Sequence, residues 1–160
     1  MASAANLRPS DSQHAIETAG RLHREAVETR AAGRPSEAAP LALRSIEILE
    51  REEGARQIDV VTVLNALARI QEDLGHLAAA EVSVHRALGI LERLRDLGEE
   101  RILFRLQAQS LGLLANLKRD QGHHSEAEEI FCRALALTEE AFGASHLGLG
   151  GPWTGHRQIA

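Results

Sequence analysis

Hydrophobic residues recur along this chain at the spacing of helices that bury one face. In two stretches they follow the i, i+3, i+4, i+7 pattern, which places them on one side of an α-helix. The pattern therefore predicts amphipathic helices that pack against other helices. The residues concerned are Val63, Leu64, Leu67, Ile70 and Leu74, and later Leu106, Leu111, Leu114 and Leu117.

Glycines and polar capping residues divide the sequence into six predicted helices. Ser10 and Ser125 each precede a glutamine or glutamate by three residues, which is the capping-box spacing. Ser36 and Asp59 are two further predicted N-caps. The six helices are expected at about 10–32, 36–53, 60–74, 78–96, 100–121 and 125–142.

One spacing occurs three times and joins these helices in pairs. A glycine is followed five residues later by an alanine, and seven residues after that by a small residue and a large aliphatic one. The glycines are offset by 42 and then by 47 positions, a period typical of stacked helical hairpins. We interpret the glycine as the cap of the first helix and the alanine as the point where the second helix crosses it. The three occurrences are Gly33-Ala38-Ser45-Ile46, Gly75-Ala80-Ala87-Leu88 and Gly122-Ala127-Ala134-Leu135.

This repetition predicts an all-α solenoid of three antiparallel helical hairpins. The repeats are expected at about 10–54, 59–97 and 100–143, within residues 10–146. Residues 1–9 are predicted to form a disordered N-terminus, and residues 147–160 a glycine-rich C-terminal tail. Alanine and leucine build the core, because tyrosine is absent and other aromatic residues are rare.

The charge and composition exclude several classes of partner. The formal net charge is −5 and no basic tract occurs, so the electrostatic footprint of a nucleic-acid-binding protein is missing. No run of eighteen apolar residues is present, and the first thirteen residues lack the apolar core of a signal peptide. The single cysteine, Cys132, cannot form an internal disulfide. We therefore expect a cytoplasmic protein that binds neither nucleic acid nor membrane.

No pattern of catalytic or metal-binding residues stands out. His123 and His124 are adjacent in a predicted turn, and no His-x-x-x-His or Glu-x-x-His pair lies on a helix. Cys132 has no histidine near it in sequence, and phosphate-binding and nucleophile-elbow motifs are absent. The sequence predicts a non-catalytic protein without a metal site or cofactor.

The repeated small and large positions resemble those of the tetratricopeptide repeat family. The resemblance covers about residues 12–146 and implies a right-handed superhelix of hairpins. HEAT and armadillo repeats have a similar period but lack this glycine spacing, so they are the alternative fold. The positions that carry the resemblance are Leu22, Leu64 and Leu111, then Ala26, Ala68 and Ala115, then Ala38, Ala80 and Ala127, and finally Ser45, Ala87 and Ala134.

The long period is more similar to the repeat of kinesin light chains than to the shorter common form. Repeat one is degenerate, with Glu25 where leucine is expected, and Leu147 stands where a proline usually follows the last histidine. The matching segments are Leu64-Asn65, Leu67-Ala68, Ala80-Glu81, Leu114-Ala115, Ala127-Glu128 and Gly143-Ala144-Ser145-His146.

In this family the first helix of each pair lines a concave face, so the resemblance implies a groove that binds a peptide or a partner helix. Asparagine side chains suit peptide bonds, and arginine can hold a carboxylate with two hydrogen bonds. The alternative is a polar face that is merely solvated. The groove residues implied are His23, Arg30, Asn65, Arg69, Glu72, Asp73, Gln109, Asn116, Arg119 and Asp120.

The last predicted helix carries an apolar stripe that no fourth repeat covers. The stripe leads us to expect a homodimer through this helix, or coverage by the tail. The preferred function is a protein-interaction module. The alternatives are a self-associating scaffold, and a stand-alone relative of the repeat part of a bacterial signalling or transcription regulator. The predicted self-association residues are Ile130, Ala134, Leu137 and Ala141.

Overall fold

The computed structural model describes residues 9–95 and 100–149, and every structural statement below refers to this part of the chain. It contains six α-helices and no strand, which confirms the predicted all-α class. The helices are α1 (Pro9–Ala31), α2 (Pro35–Arg51), α3 (Gln57–Asp73), α4 (Leu77–Leu94), α5 (Glu100–Asp120) and α6 (His124–Leu149).

The three repeated glycines each end the first helix of a pair in the same way. Gly33, Gly75 and Gly122 have φ angles of 79°, 77° and 87°, in the left-handed region that glycine adopts without strain. In the first turn, the Gly33 amide donates to the Arg30 carbonyl and the Arg34 amide to the Thr29 carbonyl. The turns at Gly75 and Gly122 repeat both bonds. This pair of bonds is the Schellman motif, so the glycine is required by the backbone conformation.

The same turns explain why an alanine follows each glycine by five residues. The residue after the glycine already accepts the first hydrogen bond of the next helix, from Ala38, Ala80 or Ala127. All three alanines are buried, at 0%, 0% and 3% exposure. Because the connection is this short, the fourth residue of the second helix faces the first helix. Only a small side chain fits there.

The predicted N-caps lie inside the helices and not at their starts, as Ser10 does in α1, which begins at Pro9. The N-cap of α2 is Arg34, with no capping bond from its side chain, and Pro35 occupies the first helical position. Ser36 and Ser125 lie inside the first turns of α2 and α6 and are not N-caps. Asp59 likewise lies in the first turn of α3, whose N-cap is Arg56. Ser36 and Ser125 are not caps because the residue directly after the glycine ends one helix and starts the next.

The last helix also differs from its predicted length. α6 continues to Leu149 and passes Gly143, where the sequence predicted its end. A glycine within a helix costs about 1 kcal/mol relative to alanine but does not by itself stop the helix. Residues 150–160, which make up most of the predicted tail, lie outside the described residues, as does most of the N-terminal segment 1–9.

The helices form two compact units, one reaching to Ile90 and one beginning at Leu91, so the boundary falls inside α4. In the first unit α2 packs on both α1 and α3, and α1 also touches α3. Ser45 Oγ on α2 donates to the Ala19 carbonyl of α1 at 2.7 Å, and Ser83 on α4 donates to Gln71 on α3 at 2.8 Å. Arg86 of α4 pairs with Glu50 of α2.

The second unit is built on the hairpin of α5 and α6, which pack along each other. Ala115 and Leu117 on α5 are almost fully buried, as is Ala127 near the start of α6. Lys118 Nζ lies 3.6 Å from Glu126 Oε2 and bridges the two helices near their shared turn.

Candidate partner-binding face

The ten predicted groove residues divide between the two units. His23 and Arg30 lie on α1, and Asn65, Arg69, Glu72 and Asp73 lie on α3, so six belong to the first unit. Gln109, Asn116, Arg119 and Asp120 lie on α5 in the second unit. Each set occupies first helices of hairpins, as the family resemblance implies.

Two of these residues bind each other. Arg30 Nε donates to Asp73 Oδ2 at 2.6 Å, and Arg30 Nη2 donates to Asp73 Oδ1 at 3.3 Å. The pair joins the last turns of α1 and α3, and both side chains are 35% exposed. An ion pair this exposed contributes about 0–1 kcal/mol to stability. A partner that uses either charge must compete with these bonds, which adds a cost of the same size to its binding.

The remaining α3 positions differ in how far they reach solvent. Asn65 is only 6% exposed, so it offers little surface to a peptide. Arg69 is exposed, and it makes no ion pair with the residues that the structure describes. Glu72, also on α3, is half-buried. Arg69 is thus the charged side chain of α3 that is most accessible to a partner.

On α5 the predicted residues form a more open polar face. Gln109, Arg119 and Asp120 are exposed, and Asn116 is half-buried. Arg119 makes no ion pair within 9–95 or 100–149. This part of α5 therefore offers amide, cationic and anionic groups to solvent.

A pocket opens between α1, α2 and α3, within the first unit. It has a volume of about 190 Å³ and is lined mainly by apolar groups, with three polar side chains among them. One predicted groove residue, His23, lines it. The lining residues are Ile16, Ala19, Gly20, His23, Leu49, Asp59, Thr62 and Val63.

The imidazole of His23 is held in its neutral form. Burial lowers its pKa below the ordinary value of 6.5, and the nearby positive charge of Arg24 lowers it further, whereas Asp59 raises it. Nδ1 of His23 is buried and has no hydrogen-bond partner among the described residues. A neutral ring carries one hydrogen-bond donor and one acceptor, so His23 adds a polar group to the mainly apolar lining of the pocket.

Sequence reasoning identified His23 but missed the pocket. Gly20 lies within α1, one turn before His23, where a Cβ would have only Arg24 Nη1 within 4 Å, at 3.8 Å. Glycine at such a position costs about 1 kcal/mol relative to alanine, which is the one signal that the sequence offered. The sequence predicts Asp59 only as a helix cap, and no pattern in it singles out Leu49.

The predicted self-association residues on α6 are partly accessible. Ile130 and Leu137 are half-buried, whereas Ala134 is 9% exposed and belongs to the core. The side chain of Ala141 lies outside the described part of the chain. Of the predicted patch, Ile130 and Leu137 are therefore the residues that a second chain can reach.

The described residues contain no obvious centre for chemistry. No group of three or more His, Cys, Asp or Glu side chains within 9–95 and 100–149 is arranged to hold a metal ion. Cys132 is a free, exposed thiol on α6. None of the helices in this part of the chain combines the length and apolar character needed to cross a membrane.

Comparison with known families agrees with the hairpin architecture. The Tetratricopeptide repeat model matches residues 107–147, which include most of α5 and α6. This match supports a tetratricopeptide repeat family and identifies the α5–α6 hairpin as similar to one repeat. The class of protein is thus an all-α, tetratricopeptide-repeat-like chain. A search of curated proteins found no match to the sequence.

Proposed function

We propose that this chain is a non-catalytic protein-interaction module that binds a peptide or a partner helix with the first helices of its hairpins. The observation that carries the proposal is the match of residues 107–147 to the tetratricopeptide repeat, a family whose members generally mediate protein–protein interactions. The kinesin-light-chain-like form and a cytoplasmic location belong to the same proposal.

The accessible charges of the first helices indicate what such a partner contributes. Arg69 on α3 and Arg119 on α5 are exposed and have no ion pair within the described residues, so both are available to a carboxylate. Arg30 is less available, because Asp73 already holds it. We therefore infer that partners present acidic groups to the exposed arginine of either unit, Arg69 on α3 or Arg119 on α5.

Paired arginine substitutions test the proposed face. The full chain is used as bait in the source cell, and the affinity of each captured partner is then measured with the purified protein. Arg69→Ala together with Arg119→Ala should weaken binding about threefold to tenfold, and more strongly at low salt, because exposed charge pairs are screened. Arg44→Ala together with Arg133→Ala, at exposed positions of α2 and α6, is the matched control.

The control determines whether the face is correctly assigned. If both double variants weaken binding equally, the effect reflects overall charge and the proposed face is wrong. Chemical-shift changes from a bound partner that fall only on α2, α4 and α6 would contradict it as well.

Self-association is the second candidate function. It is favoured by the half-buried side chains of Ile130 and Leu137 on α6, which lie two turns apart on one side of that helix. A scaffold role would require a second copy on this helix instead of a peptide on the first helices. The oligomeric state of the purified chain separates the two functions.

A further inference from the structure

The pocket between α1, α2 and α3 has the size and lining of a site for one aliphatic side chain. Its volume of about 190 Å³ exceeds the roughly 150 Å³ at which an apolar cavity holds a molecule as large as benzene. Ile16, Leu49 and Val63 supply apolar walls from three different helices. Because Gly20 has no side chain, the α1 wall stays open at the point where other residues would narrow it.

A cation lies next to this opening. Arg24 is exposed and makes no ion pair with any residue that the structure describes. Its Nη1 atom is 3.8 Å from the position that a Cβ on Gly20 would occupy. The acidic group of the lining, Asp59, already faces a cation, since Arg56 Nη2 lies 3.4 Å from its Oδ1. The unpaired charge beside the pocket is therefore positive.

We propose that this pocket binds a leucine- or isoleucine-sized side chain of a partner peptide, whose neighbouring aspartate or glutamate pairs with Arg24. The inference rests on the proposed function, because it specifies which sequence the interaction module selects. The buried apolar group supplies most of the affinity, since exposed ion pairs contribute only about 0–1 kcal/mol. The carboxylate mainly orients the peptide.

Gly20→Leu adds an aliphatic side chain at a residue that lines the pocket and removes no side chain of the fold. A leucine there begins at the pocket wall, and the only described atom near its Cβ belongs to the flexible Arg24 side chain. Gly89→Leu is the matched control, because Gly89 is also a helical glycine of the first unit and its Cβ would meet nothing within 4 Å. Both variants should have a Tm no lower than the parent chain, since a helical glycine is replaced in each.

A random dodecapeptide display library is selected on the full-length chain, and enriched peptides are measured by fluorescence anisotropy. We expect the enriched peptides to share an aliphatic residue next to Asp or Glu. Gly20→Leu should weaken their binding about tenfold or more, because it removes the pocket for the anchor. Arg24→Gln should weaken it about threefold, and Gly89→Leu should leave it unchanged.

The outcomes separate this inference from the proposed function. Peptides that bind Gly20→Leu as well as the parent, but lose affinity with Arg69→Ala and Arg119→Ala, overturn the pocket and leave the function standing. Enriched peptides with no acidic residue beside the anchor overturn the pairing with Arg24. If the library yields no binder, both proposals fail. If Gly20→Leu changes the sedimentation of the chain alone, the occupant is a second copy and the peptide proposal is wrong.

Discussion

Each hairpin turn depends on a glycine in the left-handed backbone conformation. Gly33, Gly75 and Gly122 have positive φ, whereas the helical Gly89 does not, and in none of the four is a neighbouring side chain within 4 Å of an added Cβ. Any cost of substitution at these positions therefore comes from the backbone and not from packing.

Gly75→Ala is predicted to destabilise the chain by about 1–2 kcal/mol, because an L-residue is strained in the left-handed region. Gly89→Ala should instead stabilise it by about 0.5–1 kcal/mol, since alanine is the better helix former. Urea unfolding of the two variants measures both effects. Equal changes for both glycines would contradict the Schellman assignment.

His23 makes the stability depend on pH below 6.5. Its pKa in the folded chain lies below 6.5, because burial and Arg24 oppose the charged form more than Asp59 favours it. As pH falls through 6.5, the unfolded chain takes up the proton first, so the free energy of unfolding decreases. The decrease ends below the folded-state pKa.

The contribution of His23 is measured by substitution. His23→Gln should remove its part of the slope as the pH falls below 6.5. Thermal unfolding across this range is the measurement. A parent and a His23→Gln chain with the same pH profile would show that the ring does not titrate differently on folding.

At the scale of helices, the crossing alanines can be tested by overpacking. Ala80 is fully buried on α4, and Ala127 is 3% exposed on α6, whereas Ala79 and Ala136 are exposed on the same two helices. Ala80→Leu and Ala127→Leu are predicted to cost about 1–3 kcal/mol each. Ala79→Leu and Ala136→Leu, the matched controls, should stay within about 0.5 kcal/mol of the parent. Similar unfolding midpoints for all four variants would argue against the hairpin crossing.

The helices and their pairing could be predicted from the sequence because local signals determine them. Glycine at a fixed distance before alanine specifies both the cap and the crossing, and the structure has both at all three turns. The N-caps could not be predicted in the same way. Ser36 and Ser125 are good capping residues, but the short turn assigns the role to the residue that directly follows the glycine.

The candidate site likewise could not be predicted from local signals, because its residues come from different helices. His23 was predicted from its place on a first helix, but the pocket beside it also needs Leu49 from α2 and Val63 from α3. No local pattern joins these positions. Asn65 shows the converse case, because its position on α3 was predicted but its burial, at 6% exposure, depends on packing around the helix.

For the whole molecule, α6 is the helix through which the predicted homodimer would form. It is the longest described helix, with 26 residues, and Ile130 and Leu137 on it are half-buried apolar side chains. Apolar side chains at the surface of a helix favour association, because they are buried when the helix meets another helix or a second chain. A two-fold dimer of α6 against α6 would bury the same residues from both copies.

The predicted homodimer is tested by charging those two positions. Ile130→Glu with Leu137→Glu should convert a dimer into a soluble monomer, because each copy would place two like charges in the shared interface. Cys132→Glu with Ala136→Glu adds the same two charges at exposed positions on the other side of the same helix, and should leave the dimer intact. Sedimentation over a range of concentrations gives the masses, and circular dichroism verifies that each variant keeps its helices. A parent chain that stays monomeric at the highest concentration would rule out α6 as an interface between copies, and the interaction surface would then lie on the first helices alone.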